Sequence, residues 1–375
     1  MKAPERVVIA GAGVTGLSTA FYLLEKYGIR STLVDRSGSI APGASGKAAG
    51  FLAKDWNDGT PTEQLTHRSF RLHQQLADKF GATDIQYRRV TCISTQIEKS
   101  APKKKKAVMT ATVDWASRKL LRGSDIMGDE ETVAQVHPKL LCQHLWQACE
   151  QGGCTLVKGK VTGAVANAKG KIESVVLEEG NNISADALLY ACGPWNANVM
   201  YGIKGHSLVL PTTKVLKQCV FFYSNSFGDC EVFVRPDSTA FCSGFPDDLV
   251  KVDEEPGQEK VEPAKASRLR EAVRSCSGAM GDESSDMVLG EPIVEQACYQ
   301  PVTDDFLPII GPLSRRATGG CDGCFMAGGN NCWGILLGPA TGECMADLIA
   351  TGKTEHVDIS KFHPARYRNL KPVVD

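Results

Sequence analysis

The sequence predicts an α/β protein with an added β-rich domain, and three observations support this fold class. A strand, a glycine-rich turn, a helix and a second strand follow one another within the segment Val7–Asp35. A strand, glycine-rich turn and helix recur at 324–351, and an apolar strand lies at 185–195. Region 201–312 has the alternating apolar pattern of a β-rich domain. The chain therefore divides into a discontinuous domain of parallel strands and helices and a second domain with a mixed sheet.

The segment Val7–Asp35 has the signature of a Rossmann-like dinucleotide-binding unit. In its turn, Gly11 permits a tight bend, Gly13 lets a pyrophosphate approach the backbone, and Gly16 lets the helix pack closely on the strand. The helix N-terminus offers N–H groups to the phosphates. Asp35 follows the second strand, where a carboxylate can accept hydrogen bonds from a ribose. NAD and FAD both fit this pattern, and the alternative is a tight turn without a ligand.

The elements that follow are assigned from their apolar spacing and turn residues. Residues 36–50 are mostly small, which suits a backbone lying against a planar ligand. Residues 62–80 form a helix on which His67 and His73 are expected at the surface, and 86–94 form a strand. The lysine run 103–106 is interpreted as a solvated hairpin tip, with a basic anchor as the alternative.

The middle of the chain returns to the nucleotide-binding sheet. A helix follows Pro138 and ends at Gly152, and the next strands are expected at 155–158, 161–167 and 171–177, the last two in an antiparallel meander. The apolar strand at 185–195 ends in Gly-Pro.

The β-rich region has predicted strands at 207–210, 217–223, 231–234 and 239–244. A loop at 252–262 leads into a helix at 263–276. These elements give a nucleotide-binding domain at 1–60, 130–200 and 320–360, a substrate domain at 61–129 and 201–319, and a C-terminal tail at 361–375.

Composition narrows the function classes. The formal net charge of −1 gives no reason to expect a nucleic-acid partner, and no apolar run is long enough for a membrane span. The first strand begins close to Met1, so the sequence predicts a cytoplasmic protein without a signal peptide. The fourteen cysteines are scattered, and the one CxxC motif, Cys321 to Cys324, has no second ligand pair nearby. No metal site is expected.

Three separated segments resemble the D-amino-acid oxidase superfamily, which includes glycine oxidase and sarcosine oxidase. They are the N-terminal unit, the strand that ends in Tyr190-Ala-Cys-Gly-Pro-Trp195, and the terminal Gly328-Gly-Asn-Asn-Cys-Trp-Gly-Ile335 with Gly338-Pro-Ala-Thr-Gly342. The string Gly43-Ala-Ser-Gly-Lys-Ala-Ala-Gly-Phe-Leu52 resembles poorly characterised eukaryotic members. The resemblance implies a glutathione-reductase-type FAD-binding domain, and therefore FAD rather than NAD.

The resemblance also implies which residues contact FAD. The first motif would hold the adenosine, segment 44–52 would line the flavin, Val161 would contact the adenine, and the terminal helix would direct its positive end at the flavin ring. The implied cofactor-binding residues are Gly11, Gly13, Val14, Thr15, Gly16, Asp35, Arg36, Ala44, Ser45, Lys47, Ala48, Ala49, Gly50, Phe51, Leu52, Val161, Ala191, Gly193, Trp195, Gly329, Asn330, Asn331, Trp333, Gly334 and Ile335.

One strand departs from the family pattern. Amino-acid oxidases usually carry an arginine before the proline of the strand that resembles 298–310, and it clamps the substrate carboxylate; here that position is Gln300. Arg235 could replace the arginine from another strand, and His206 is a second polar candidate for the substrate site. Cys298 lies where sarcosine oxidase has a cysteine bonded to its flavin, which raises the hypothesis of covalent attachment. Chance placement is the alternative in a cysteine-rich chain.

The resemblance implies an oxidase of amines or amino-acid-type substrates. A hydride would pass from the carbon that bears the nitrogen to flavin N5, the imine would hydrolyse, and oxygen would reoxidise the flavin to give hydrogen peroxide. The first alternative is a dehydrogenase that passes electrons to a quinone or carrier. The second is a non-catalytic flavoprotein with an assembly or trafficking role.

Overall fold

The computed structural model describes residues 3–99, 111–116, 119–277 and 292–372 of the chain. The lysine run 103–106 lies outside the described residues, so its interpretation as a hairpin tip stays a prediction. Within the described residues, no helix has both the length and the apolar character that crossing a membrane requires.

The described residues form six α-helices and twenty strands. The helices are α1 (Val14–Tyr27), α2 (Ala44–Lys47), α3 (Glu63–Phe80), α4 (Pro138–Gln151), α5 (Pro263–Cys276) and α6 (Gly334–Thr351). The strands are β1 (Val7–Ala10), β2 (Ser31–Asp35), β3 (Phe51–Ala53), β4 (Arg88–Arg89), β5 (Thr91–Ile97), β6 (Leu121–Gly128), β7 (Val133–Gln135), β8 (Thr155–Lys158), β9 (Val161–Ala166), β10 (Ile172–Leu177), β11 (Asn182–Ser184), β12 (Ala187–Tyr190), β13 (Met200–Pro211), β14 (Gln218–Tyr223), β15 (Cys230–Val234), β16 (Thr239–Gly244), β17 (Leu249–Val250), β18 (Val294–Thr303), β19 (Ile309–Pro312) and β20 (Cys324–Gly328).

A six-stranded sheet carries the N-terminal motif at its centre. Its order is β19-β20-β12-β1-β2-β8, and all neighbours except the antiparallel pair β19–β20 are parallel. Because strand side chains alternate between faces, Val7 and Ile9 pack in the core shared with α1, α3, α4 and α6, while Val8 and Ala10 pack against the antiparallel sheet β9–β11. The apolar β1 sequence is thus explained by burial on both faces, which confirms the predicted Rossmann-like layer.

A second sheet forms the β-rich part of the molecule. Its path is β17-β13-β16-β15-β14-β5-β6, with β18 paired to β13, and it contains both parallel and antiparallel neighbours. Val232 and Val234 lie in the same core cluster as Leu269 and Val273 of α5. Because side chains alternate along β15, Phe233 lies on the opposite face of the sheet from Val232 and Val234.

Two elements pack differently from the predicted domain limits. α3 shares the core of α1 and α6, and β19 pairs with β20, so both lie with the six-stranded sheet, whereas the sequence predicts 61–129 and 201–319 in the substrate domain. Local spacing predicts such elements but not the core they join, because packing partners are distant in sequence. The other domain limits stay predictions.

The expectation that His73 lies at the surface is wrong. His73 on α3 is fully buried, and its Nε2 lies 2.9 Å from the carbonyl oxygen of Ile335 on α6. His67 is partly exposed, with its Nε2 2.7 Å from Asp58 Oδ1. His67 and His73 lie on different faces of α3. The packing of α6 on one of these faces buries His73, and the local sequence of α3 does not show which face α6 covers.

Candidate functional site

One long cavity of about 460 Å³ runs from the glycine-rich turn after β1 to the β-rich sheet. Such a volume lies within the range of small-molecule and cofactor sites. Its wall includes these residues from the sequence-based assignment: Gly11, Gly13, Val14, Thr15, Asp35, Arg36, Ala44, Ser45, Lys47, Ala48, Ala49, Gly50, Phe51, Val161, Ala191, Gly193, Trp195, His206, Cys298, Gln300, Gly329, Asn330, Asn331, Trp333, Gly334 and Ile335. Their individual roles toward a cofactor stay predictions.

The glycine-rich turn is held in a conformation that glycine favours. Gly11 has φ +102°, and an added Cβ would overlap the carbonyl oxygen of Ala191. An added Cβ on Gly16 would overlap the carbonyl oxygen of Gly11, so Gly16 brings α1 against the turn and does not itself line the cavity. α1 begins after Gly13 without a side-chain cap. Gly13, Val14 and Thr15 line the cavity, so this helix end faces it and can offer an anion the N–H groups that Ser45 does not occupy.

Asp35 is positioned at this end by hydrogen bonds from the backbone around it. Its Oδ2 accepts from the Ala12 N–H at 3.0 Å, and its Oδ1 accepts from the Ser37 N–H at 3.0 Å and the Ser37 hydroxyl at 2.7 Å. The side chain is 8% exposed and lines the cavity. A carboxylate oxygen can accept more than one bond, so this geometry leaves Asp35 able to accept from a ribose hydroxyl.

The small-residue segment connects the two sheets along the cavity. Ser45 Oγ accepts the Val14 N–H at 3.0 Å, which joins α2 to the start of α1. Lys47 Nζ lies 2.5 Å from Glu259 Oε2 and 3.1 Å from the Ala297 carbonyl oxygen, so the same helix is joined to the β-rich part. Leu52, predicted among the cofactor contacts, is buried in the core and is not among the residues of the wall.

The C-terminal turn contributes the start of α6. Asn330 is 4% exposed and lines the cavity, and its Oδ1 has no hydrogen-bond partner among the described residues. α6 starts at Gly334 without a side-chain cap, and it contains Pro339. Pro339 has no N–H to give to the Ile335 carbonyl, and the His73 ring supplies that hydrogen bond instead. Since a carbonyl only accepts, His73 carries its proton on Nε2.

The far end of the cavity is aromatic. Ring centroids of neighbouring side chains lie 5.1–6.3 Å apart in a continuous group formed by Phe51, Trp56, Phe221, Phe233, Phe241 and Trp333, all of which line the cavity. Strand register places Glu231 directly beside Phe221 and Ser243. The wall at this end is therefore an apolar surface that contains the carboxylate of Glu231.

The sequence-based candidates for the substrate site did not include Glu231 or the aromatic group. A local signal was available, because Glu231 and Phe233 are two residues apart in a predicted strand and therefore face the same side. Which side faced the cavity depends on pairing with strands elsewhere in the chain. Burial raises the pKa of the Glu231 carboxyl, and the hydrogen bond from Ser243 partly offsets this effect.

Of the predicted substrate-site residues, His206 and Gln300 line the cavity and Arg235 does not. His206 is 2% exposed, and its Nε2 accepts the Glu262 N–H at the start of α5. Gln300 lines the cavity. Arg235 is not among the wall residues in the described part of the chain; its guanidinium carbon lies 5.6 Å from the Phe241 ring centroid. Burial raises the pKa of Cys298 to about 12, so its sulfur is held as a thiol. The covalent hypothesis stays a prediction.

The wall fits FAD in its chemistry. One end offers a helix N-terminus and an oriented carboxylate, as a dinucleotide requires, and the other end has the unpartnered Asn330 oxygen beside a second helix start. A hydrogen-bond donor on a ligand would satisfy that oxygen.

Two relatives match this chain over almost their full length. A presumed oxidoreductase of Schizosaccharomyces pombe is 26% identical and covers 97% of this chain and 99% of the relative. The glycine oxidase of Pseudomonas aeruginosa is 26% identical, with coverage of 96% and 99%.

Solved structures share the fold at low identity. The L-proline dehydrogenase of P. horikoshii superposes with a TM-score of 0.75 at 15% identity, covering 98% of this chain and 99% of that one. The glycine oxidase of Geobacillus kaustophilus has a TM-score of 0.74 at 20% identity, with coverage of 98% and 100%. The family model described as "FAD dependent oxidoreductase" matches residues 6–348. The chain therefore belongs to the DAO family of FAD-dependent oxidoreductases, with FAD as its cofactor.

Proposed function

We propose that the chain oxidises the carbon–nitrogen bond of a small amine or amino-acid-type substrate, with oxygen as the electron acceptor and hydrogen peroxide as the product. The observation that carries this proposal is the cavity in which an end with the features of a dinucleotide site continues into an aromatic end with one carboxylate. The names of the relatives, among them glycine oxidase, support the substrate class.

The chemistry divides between cofactor and protein. When bound, FAD supplies the acceptor for a hydride from the carbon next to nitrogen, and water then hydrolyses the resulting imine. The protein binds and orients: the start of α1 and Asp35 hold the nucleotide end, and the start of α6 stabilises negative charge. The aromatic group, for example Phe221 and Trp333, excludes water from the reacting end.

An anaerobic titration of the holoprotein with a panel of amines and amino acids tests the substrate class. We expect at least one compound to bleach the flavin absorbance near 450 nm. A panel that leaves the flavin oxidised throughout would contradict the proposal, and tight FAD binding without turnover would favour the non-catalytic alternative.

The electron acceptor is tested with the same substrate in air. Peroxide formed in step with substrate loss is expected for an oxidase. Fast dye reduction with little peroxide would instead identify a dehydrogenase, the activity named for the P. horikoshii protein of the same fold.

A further inference from the structure

Glu231 is the acidic group at the aromatic end of the cavity, and its surroundings are unusual for a carboxylate. In the sheet it lies between Phe221 of β14 and Ser243 of β16, and Ser243 continues the row to Ser207 of β13. All four residues line the cavity. The row therefore presents one carboxylate, two hydroxyls and an aromatic ring on one face.

No protein cation balances this carboxylate among the described residues. Its one hydrogen bond there is from the Ser243 hydroxyl, at 3.2 Å to Oε2. Cys332 of the C-terminal turn also lines the cavity, and loss of hydration, with a smaller contribution from Glu231, raises its pKa to about 11. Glu231 is partly buried, and the burial that raises its pKa favours the neutral acid, whereas a cation bound beside it would stabilise the carboxylate.

The lysine and arginine side chains of the cavity wall already face acceptors, and His206 is held neutral because burial lowers its pKa and its Nε2 accepts the Glu262 N–H. Lys47 pairs with Glu259 at 2.5 Å. At the nucleotide end, Arg36 pairs with Glu255 at 3.3 Å and Lys160 with Glu178 at 3.1 Å. The position before the strand proline is Gln300, which has no charge.

Arg235 is the remaining basic group near this end. It lies on the same strand face as Glu231, two rows further on, since the register pairs Glu231 with Ser243 and Phe233 with Phe241. Phe233 and Phe241 line the cavity and Arg235 does not, so these rings stand between the guanidinium and the cavity. The described wall therefore offers a substrate carboxylate no uncommitted cation.

We propose that the substrate is a cationic amine without a carboxylate, bound with its ammonium group against Glu231 and the aromatic rings around Phe221. This inference rests on the proposed function, because it specifies the substrate class of the same site. An ammonium group is attracted both to a carboxylate and to the faces of aromatic rings. The proposal describes the protonated amine, which is the form that binds. Before the nitrogen lone pair can assist loss of the hydride, one proton must leave the nitrogen for water or for Glu231.

Binding of two ligands that share a phenyl ring and carry opposite charges tests the inference without turnover. Benzyltrimethylammonium and benzoate are titrated into the FAD-loaded protein, and the perturbation of the flavin absorbance is followed. We expect the cation to bind at least about 30-fold more tightly than the anion, because the loss of one partner of a buried charge pair usually weakens binding by at least this factor. Equal binding, or tighter binding of benzoate, would overturn the inference.

Two variants separate charge from folding. Glu231→Gln keeps the size and the hydrogen bond to Ser243, and we expect it to weaken the cation at least about 30-fold while benzoate is unchanged or improved. Ser243→Ala is the matched control, and it should keep the preference for the cation. Glu231→Lys should reverse the preference, which reports a folded site even if Glu231→Gln binds neither ligand. Unchanged cation binding in Glu231→Gln would refute the role of Glu231.

Turnover distinguishes this inference from the proposed function. Phenethylamine and phenylalanine differ only in the carboxylate, and we expect kcat/KM to be higher for the amine and to fall in Glu231→Gln mainly through KM. Oxidation of phenylalanine in preference would overturn the inference and leave the proposed function standing. A cation preference that depends on Glu231, without oxidation of any amine, would support the binding site and remove the proposed oxidation.

Discussion

Gly11 has both a backbone conformation and a neighbour that other residues do not tolerate. Its φ is +102°, and a Cβ would overlap the carbonyl oxygen of Ala191 on the adjacent strand end. We expect Gly11→Ala to destabilise the protein by roughly 2–5 kcal/mol, from left-handed strain plus overlap, and to lower the FAD content. Urea unfolding and the ratio of flavin to protein absorbance measure the two effects.

Gly163 on β9 provides the matched control. A Cβ there meets open space, and its backbone has no positive φ. Gly163→Ala should therefore change the free energy of unfolding by less than about 1 kcal/mol and retain FAD. If both variants keep the wild-type flavin content, the close packing of the turn does not matter for the cofactor.

The sequence predicts the structural environment of some residues better than that of others. The requirement for Gly11 is predicted by a motif within about thirty residues, although the carbonyl oxygen that its Cβ would overlap belongs to Ala191, outside that motif. The exposure of Glu231 to the cavity depends on its register with β14 and β16, whose cross-strand partners the local pattern does not determine. Arg235 lies on the strand face that includes Glu231, but beyond the part of that face that lines the cavity, and only the pairing of the full sheet shows this.

At the scale of elements, a side chain of α3 supplies a backbone hydrogen bond that α6 lacks. Pro339 leaves the Ile335 carbonyl without its usual helical donor, and His73 of α3 supplies the N–H at 2.9 Å. Gly334 and Ile335 line the cavity, so this bond stabilises the helix start that faces the cofactor. The strand-turn-helix was predictable from its own sequence, whereas its partner lies more than 250 residues away.

His73 should make stability depend on pH. Burial lowers its pKa to about 4, against about 6.5 in an unfolded chain. Between these values the unfolded chain takes up a proton that the native protein does not hold, so the free energy of unfolding falls as the pH falls and the loss is complete below about pH 4. The contribution is of order 3 kcal/mol, at 1.36 kcal/mol per pKa unit. Urea unfolding between pH 7.5 and 4.5 measures it.

His73→Gln isolates the titration from the hydrogen bond. The glutamine Nε2 can donate to the Ile335 carbonyl but cannot take up a proton in this range, so the variant should lose less stability on acidification than the wild type. His73→Leu removes the donor and should cost about 1–3 kcal/mol at pH 7.5. His137, whose pKa burial also lowers to about 4, is present in every variant and cancels. Parallel pH curves for wild type and His73→Gln would contradict the assignment.

At the scale of the whole molecule, the cavity exists because two sheets face each other across it. The nucleotide-binding layer supplies the start of α1 and the start of α6, and the β-rich sheet supplies the aromatic end. Each layer was predictable from its own periodicity. Their relative placement was not, because it depends on side chains such as Lys47 and Glu259, which are 212 positions apart.

The ion pair of Lys47 and Glu259 joins α2 to the loop before α5, and its loss should be costly. The Glu259 side chain is fully buried and that of Lys47 is 18% exposed, with 2.5 Å between Nζ and Oε2. Lys47→Met leaves a buried carboxylate without its cation, so we expect a loss of about 3–5 kcal/mol in the free energy of unfolding. The double variant Lys47→Met with Glu259→Gln removes that uncompensated charge and should recover more than half of the loss. Urea unfolding of the four holoproteins gives the coupling energy, and an additive cycle would show that the two sheets are held together by other contacts.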